Sequence, residues 1–451
     1  MSITLIILVA ASVMAGGGKQ ADSGSSSAPA GGAASEKITL RVLYYLEATA
    51  PNAVSDANNW VAEFERQNPD VRIERENLFD EPYHDKLRAY TAAGDLPDVM
   101  FAWPTTRMDY AYTPKRVFKD LLPFMNRDNL KNAYAPFTFD PTQQPGGFVD
   151  VFTQGITTCH VLFINMEVLR DCGLQPAKTY AELVSQVPVL RAKGYETIIL
   201  PAQSDWVHNS CIFSMILGRF CGADWFDRVA SGRAKYTDPD FVAAFDFYRQ
   251  IYTDNVILKS ALGIEYGEGP GLFAGNKSAY YIDGDWRVGA FITDEDTKQA
   301  LISPDRQNNF ILGNFPEIPG VKMNNSNSAI LGTGWSINAA IPAGSAKENA
   351  AWRWVKYMLS RDVQQLRVER GGVPTPSNTD LDYNAMKLEP MQKAIGAFGS
   401  TYSVVTPVID GVLSSDVNDE LNMALVRLAL GEITGAQAGA DVQRVHDASR
   451  R

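Results

Sequence analysis

The sequence predicts an α/β fold in two lobes, and three observations predict it. Residues 38–103 run strand, helix, strand, helix, strand, the order that builds a parallel doubly wound sheet. The chain has 451 residues, too many for one compact core and enough for two lobes. Mixed apolar segments at 148–164, 310–316 and 363–370 are placed to carry the chain between lobes. Two lobes joined by several crossings hinge about a cleft, and clefts between domains are preferred ligand sites.

The elements follow in order. Residues 38–44 (Ile-Thr-Leu-Arg-Val-Leu-Tyr) alternate and are β-rich, a first strand. Asn59 caps a helix with Trp60, Val61 and Phe64 on one face, stopped at Asn68-Pro69. Residues 71–74 form a second strand, and 82–93 a helix ended by Gly94. Residues 98–103 are almost all apolar, as a buried parallel strand should be. Thr179 to Glu182 is a capping box that opens a helix to Lys193. A strand at 197–200 follows, then a helix behind Asp238-Pro239 with Phe241, Phe245, Tyr248 and Tyr252 inward. Residues 330–337 read as a glycine-broken strand. Ser345 to Glu348 opens a helix to Leu359, and 383–449 is mostly helical. Trp60, Trp352 and Trp354 sit at helical core spacing and read as packing.

Composition removes several function classes. The net charge of −11 leaves no basic patch to neutralise phosphates, so a nucleic-acid partner is not expected. The four histidines are scattered without metal spacing, and Cys159, Cys172, Cys211 and Cys221 form no C-x-x-C pair. No cofactor and no metal are expected. The cysteines are either buried thiols or up to two disulfides, whose pairing the sequence leaves open. Residues 1–18 read as a signal-peptide-like segment with a short apolar run, and 19–37 as a flexible Gly/Ser/Ala linker. That order, apolar run then loose tether then folded domain, is the order of bacterial surface lipoproteins. Gly17 stands where a lipidated cysteine would be, so a lipid anchor is not implied.

The most informative stretch is 278–291. An apolar strand breaks at Gly284 and presents Asp283, Asp285 and Trp286. A strand end followed by a helix start is a usual ligand position in α/β folds. Carboxylate oxygens accept from hydroxyls, and an indole offers a flat apolar face beside them. The combination suits a sugar, with hydroxyls at its edge and C–H faces above and below. The bland alternative is that both acids are solvated turn or cap residues. Paired acids also occur in glycoside hydrolases, about 5 to 10 Å apart. Two acids flanking one glycine give no reason for the pKa splitting that such chemistry needs, and no catalytic signature accompanies them, so no enzyme is expected.

Four signatures in order carry a family resemblance: Trp60 to Pro69; Ala92 to Pro104 with Phe118 to Pro123; Val161 to Leu169 with Lys178 to Leu183; and Phe273 to Trp286 with Gly334-Trp335 and Ala351 to Leu359. Over about residues 38–440 the chain resembles the extracellular solute-binding proteins of bacterial ABC sugar importers, the group that includes maltose-binding protein. The resemblance implies a periplasmic-binding-protein fold, each lobe a mostly parallel sheet flanked by helices, with three hinge crossovers. The N-terminal lobe would hold 38–157 plus 313–362, and the C-terminal lobe 158–312 plus 363–451. It implies an exported monomer, in the periplasm or on the outer face of the membrane, that captures a sugar or oligosaccharide and delivers it to ABC permease subunits. By position, the ligand-binding candidates are Glu47, Trp103, Arg107, Asp205, Trp206, His208, Asp283, Asp285, Trp286, Gly334 and Trp335. The first crossing carries Thr157-Thr158-Cys159-His160 where relatives often carry Tyr or Asp. The alternative is the same machine with a glycerol-phosphate ester or a peptide. A phosphate would recruit arginines or helix N-termini, and the sequence places only Arg107 and Arg287 near the cleft.

Overall fold

The structure is a computed structural model that describes residues 37–105, 116–144 and 146–449. The signal-peptide-like segment and all of the linker but Lys37 lie outside the described residues, as does Arg107. Among the described residues thirteen strands form three sheets. The first lobe's sheet has the order β2-β1-β3-β11-β4, built from β1 (Ile38–Tyr45), β2 (Val71–Leu78), β3 (Val99–Ala102), β4 (Phe152–Thr153) and β11 (Gly334–Ile337). The second lobe's sheet has the order β7-β8-β6-β9, from β6 (Val161–Asn165), β7 (Glu196–Ile199), β8 (Ser278–Asp283) and β9 (Phe310–Gly313). Between them lies β12-β5-β10-β13, from β5 (Gly155–Thr158), β10 (Ser326–Leu331), β12 (Thr375–Pro376) and β13 (Val404–Thr406).

The doubly wound start is as the hydrophobic pattern requires. β1 runs parallel to both β2 and β3, and β3 is buried along its whole length. Parallel pairing recurs at β7 and β8. Strands that arrive from crossing segments join antiparallel instead, β11 against β3 and β4, and β6 against β8 and β9. They enter from the other lobe and not through a helix laid over the same sheet, so nothing forces them parallel.

Four expectations change. Neither lobe's sheet is mostly parallel: two of the first sheet's four pairings and two of the second sheet's three are antiparallel. The segment 363–370, expected as a crossing, belongs to the helix Arg361–Glu369 and the residue after it, and Val363 packs into the first lobe's core. The helix expected to start at Asn59 spans Ala53–Gln67, with Asn52 before it in the left-handed region at φ 62°. Asparagine tolerates that conformation, and Val54 to Ala57 supply a first turn that the apolar pattern alone does not mark. The segment 310–316 is not a crossing. Phe310–Gly313 is the edge strand β9, paired to β6, and Phe315 and Ile318 pack into the second lobe's core. The chain returns to the first-lobe sheet later, through β10 and β11. An apolar strand has the same composition whether it completes a sheet or leaves it.

Other local signals hold. Gly94 ends the helix Glu81–Ala93 at φ 67°. The Thr179 hydroxyl accepts from Glu182 N at 3.2 Å, and Ser345 does the same for Glu348 at 3.1 Å. Trp352 and Trp354 are fully buried in the first lobe's core. The second lobe's larger core gathers Phe241, Phe245, Tyr248 and Tyr252 on one face of the helix Pro239–Thr253. All four cysteines are free thiols, Cys172 partly exposed and the others buried. Among the described residues no helix is long and apolar enough to cross a membrane, and no group of His, Cys, Asp and Glu could hold a metal ion.

Candidate ligand-binding site

A cavity of about 340 Å³ opens between the lobes where strand ends and crossing segments meet, within the usual range for a small-molecule site. The first lobe supplies Tyr45 at the end of β1 and Glu47 after it, Phe79 and Asp80 after β2, and Trp103 after β3. The second supplies Trp206, Tyr266 and Trp286. The strand β5 and the residues flanking it contribute Gln154, Thr157 and Cys159, and the helix Arg361–Glu369 with the residue after it contributes Arg367 and Arg370. This is the strand-end rule for α/β folds acting in both lobes.

The aromatic faces are locked by their neighbours. Trp103 stands edge-on to Tyr45 with ring centroids 5.0 Å apart, and 4.6 Å from His84. Trp206 and Tyr266 meet at 4.8 Å, and Trp206 lies 6.0 Å from Trp286. The Trp286 indole N–H donates to the Tyr266 hydroxyl at 2.5 Å, and that hydroxyl donates to Asp283 Oδ1 at 3.1 Å. Asp283 therefore holds Trp286 in place through Tyr266. Its carboxylate is fully buried and occupied, receiving Tyr281 OH at 2.5 Å, Gly284 N at 2.8 Å and Arg287 Nε at 2.9 Å. Arg287 lies over the Tyr266 ring at 4.1 Å and reaches across to Glu47 Oε1 at 3.2 Å. A second bridge crosses between the lobes at Asp80, which accepts from Ser204 Oγ and from the Trp206 indole.

Residues 49–365, more than half of the chain, match the family model of the bacterial extracellular solute-binding proteins. The chain belongs to that family. It is 23% identical over 340 residues to the multiple sugar-binding protein of Streptococcus mutans, an alignment covering 74% of each chain. Among solved structures it resembles a chitin oligosaccharide binding protein, with 21% identity, a TM-score of 0.78, and coverage of 91% of this chain and 98% of that one. It also resembles a maltose-bound protein of T. maritima, with 17% identity, a TM-score of 0.72, and coverage of 91% and 100%. At such identities the structural likeness carries the two-lobed fold.

In this solute-binding protein the expected site residues separate into two groups. Glu47, Trp103, Trp206 and Trp286 line the cavity. Asp205, His208, Asp283, Asp285, Gly334 and Trp335 do not. Asp205 is exposed. His208 is fully buried beneath the loop that carries Trp206, hydrogen-bonded to Tyr248 OH and, at 3.1 Å, to Ala202 O. Burial pushes its pKa down to about 4, so the ring is neutral. Asp285 accepts the backbone N–H of Thr158 at 2.8 Å and so ties the first crossing to the second lobe. Burial pushes its pKa up to about 7. Trp335 is fully buried, edge-on to Tyr44 at 5.3 Å and Phe101 at 5.5 Å. Gly334 serves packing, because a Cβ there would lie 2.0 Å from Phe152 O of the neighbouring strand β4.

Several lining residues escaped the sequence reading. Phe79 and Asp80 follow β2 as Trp103 follows β3, so the strand-end rule would have found them. Trp60, expected in the core, packs against it on one side and lines the cavity on the other. Arg367 and Arg370 reach the cavity from the helix Arg361–Glu369 and the residue after it, which nothing in their local sequence reveals.

Proposed function

We propose that this solute-binding protein is a non-catalytic receptor that captures a sugar or oligosaccharide in the interlobe cavity and delivers it to an ABC permease outside the cell. One observation carries the reading: aromatic rings from both lobes, Trp103 and Tyr45 on one side and Trp206, Tyr266 and Trp286 on the other, share a cavity with the carboxylates Glu47 and Asp80. The rings match the C–H faces of pyranoses, and the acids match their hydroxyl edges. The names of the similar proteins support it, since they bind sugars or oligosaccharides. A ligand touching both walls binds the closed arrangement better than the open one and shifts the population to it. The closed form is the one the permease would recognise.

Three of the acids that line the cavity beside Asp410 are held by donors, Asp56 by Arg370. Glu47 is held by Arg287, and Asp80 is engaged by two donors. A thermal-shift screen over mono-, di- and trisaccharides, polyols and phosphate esters tests the reading, because a ligand of the folded form raises its melting temperature. A rise with saccharides and no product release from glycosides is expected. Silence toward every carbohydrate would sink the proposal, and turnover of a glycoside would replace it with a hydrolase.

A further inference from the structure

Charge pairing in the cavity, whose wall carries Glu47, Asp56, Asp80 and Asp410, leaves one cation without an acid partner among the described residues. Glu47 faces Arg287, Asp56 holds Arg370 through Nε at 2.8 Å and NH2 at 3.3 Å, and Asp80 takes Ser204 and Trp206. Arg367 lines the same cavity, and among the described residues no carboxylate pairs with it. Its guanidinium lies over the Trp60 ring, 4.7 Å from the centroid. NH2 donates to the Tyr44 hydroxyl at 3.4 Å, and Nε is buried with no hydrogen-bond partner.

A second guanidinium converges on the same tyrosine. Arg75 Cζ lies 5.4 Å from the Tyr44 ring centroid, and its NH2 donates to Asn58 at 2.8 Å. Its NH1 is buried without a partner, and it too has no carboxylate among the described residues. In a chain of net charge −11, two arginines flank one tyrosine, and among the described residues neither is paired with an acid; the nearby Asp56 is held by Arg370. Removing water from an unpaired guanidinium costs free energy that a bound anion recovers. The stack on Trp60 occupies the face of Arg367 and leaves its N–H edge for an in-plane acceptor.

We propose that the sugar taken by this cleft is acidic, and that Arg367 receives the carboxylate of a uronic acid residue at the Trp60 end. The proposal rests on the sugar-binding reading and names the ligand's chemistry. One planar fork of N–H donors matches a planar carboxylate edge to edge. A phosphate ester would also draw a helix N-terminus, and Asp56 already occupies the first turn of the helix Ala53–Gln67. Arg370 does not compete, because Asp56 holds it.

Isothermal titration at low ionic strength compares three acidic probes with neutral trisaccharides and with glucose 6-phosphate. The acidic probes are a galacturonate trimer, a mannuronate trimer and a glucuronate-bearing xylotriose. At least one acidic probe binds tenfold or more tighter than every neutral one, and added salt shrinks the difference. Arg367→Met keeps the stem over Trp60 and removes the preference, while Arg367→Lys retains part of it. If the methionine variant does not fold, the lysine variant and the salt dependence carry the same comparison. Equal affinity for acidic and neutral sugars, or an unchanged preference in the substituted protein, overturns the proposal and leaves sugar binding standing. Tighter binding of the phosphate ester overturns the carboxylate. Binding of no saccharide of either kind overturns the sugar reading along with it.

Discussion

Asp80 of the first lobe accepts the indole N–H of Trp206 from the second at 3.0 Å and the Ser204 hydroxyl at 2.7 Å. One carboxylate thus ties the two walls of the cavity and sets the orientation of an aromatic ring inside it. Asp80 sits at φ 53° and ψ −144°, a sparsely populated backbone conformation for a non-glycine residue, at the start of the helix Glu81–Ala93. Asp80→Ala removes both bonds. Hydrogen bonds to a charged group contribute about 1.5–3 kcal/mol each in favourable cases, so ligand affinity should fall about tenfold or more. Small-angle scattering should report a larger radius of gyration. An unchanged affinity and radius would show that the bridge contributes nothing to closure.

The Trp286 face depends on the glycine two residues before it. Gly284 has an ordinary backbone at φ −85°, yet a Cβ there would lie 2.1 Å from the Trp286 ring. Gly284→Ala should therefore displace the indole and weaken ligand binding as much as Trp286→Ala does. Burial of an aromatic side chain contributes about 1.5–3 kcal/mol, so each variant should lose at least about tenfold in affinity by calorimetry. Wild-type affinity in Gly284→Ala would mean that the ring does not touch the ligand.

Asp283 and Trp335 should act on the fold and not as direct ligand contacts. Trp335→Ala leaves a cavity in the first lobe's core and should cost about 3–5 kcal/mol of stability by denaturant titration. Asp283→Asn weakens the Arg287 and Tyr266 contacts and frees Trp286, so affinity drops without loss of any atom lining the cavity. Selective loss of affinity in Trp335→Ala at unchanged stability would return that residue to the ligand site.

Two buried groups tilt the stability profile in opposite directions. The folded pKa of Asp285, about 7, lies above its ordinary 3.8 because burial disfavours the charge. The native state thus keeps a proton that the unfolded chain has lost. Stability contributed by Asp285 falls as pH rises from about 4 to about 7, by up to about 4 kcal/mol, and is level above. Asp285→Asn should remove that slope in a series of melting temperatures. His208, held near 4 by burial, does the reverse. The unfolded chain takes up a proton below about 6.5 while the native ring stays neutral, so stability falls as pH drops from about 6.5 toward about 4. His208→Gln should flatten the acid limb. An unaltered profile in either variant would refute its assignment.

Much of the fold was legible because its signals are local. The alternation of β1 and β2, the unbroken apolar run of β3, the Gly94 stop and the capping residues Thr179 and Ser345 each depend on neighbours within a turn. The candidate ligand residues that line the cavity, Glu47, Trp103, Trp206 and Trp286, all follow strand ends, where a fold-class argument reaches. The second crossing was misplaced because an apolar strand at Phe310–Gly313 looks alike at a sheet edge and in a hinge.

The sequence by itself determined the class of fold, the two lobes, and an aromatic and acidic cleft at Asp283-Gly284-Asp285-Trp286. Only the tertiary structure decided which of those four faces the cavity. Asp283 turns inward because Arg287, one helical turn on, and Tyr281 and Tyr266 surround it. Asp285 turns to the backbone of Thr158, 127 positions away. Asp80 and Arg367 reach the cleft from the end of β2 and from the helix Arg361–Glu369. Whether a charge is neutralised or left for a ligand depends on partners distant in the chain, and no local pattern encodes them.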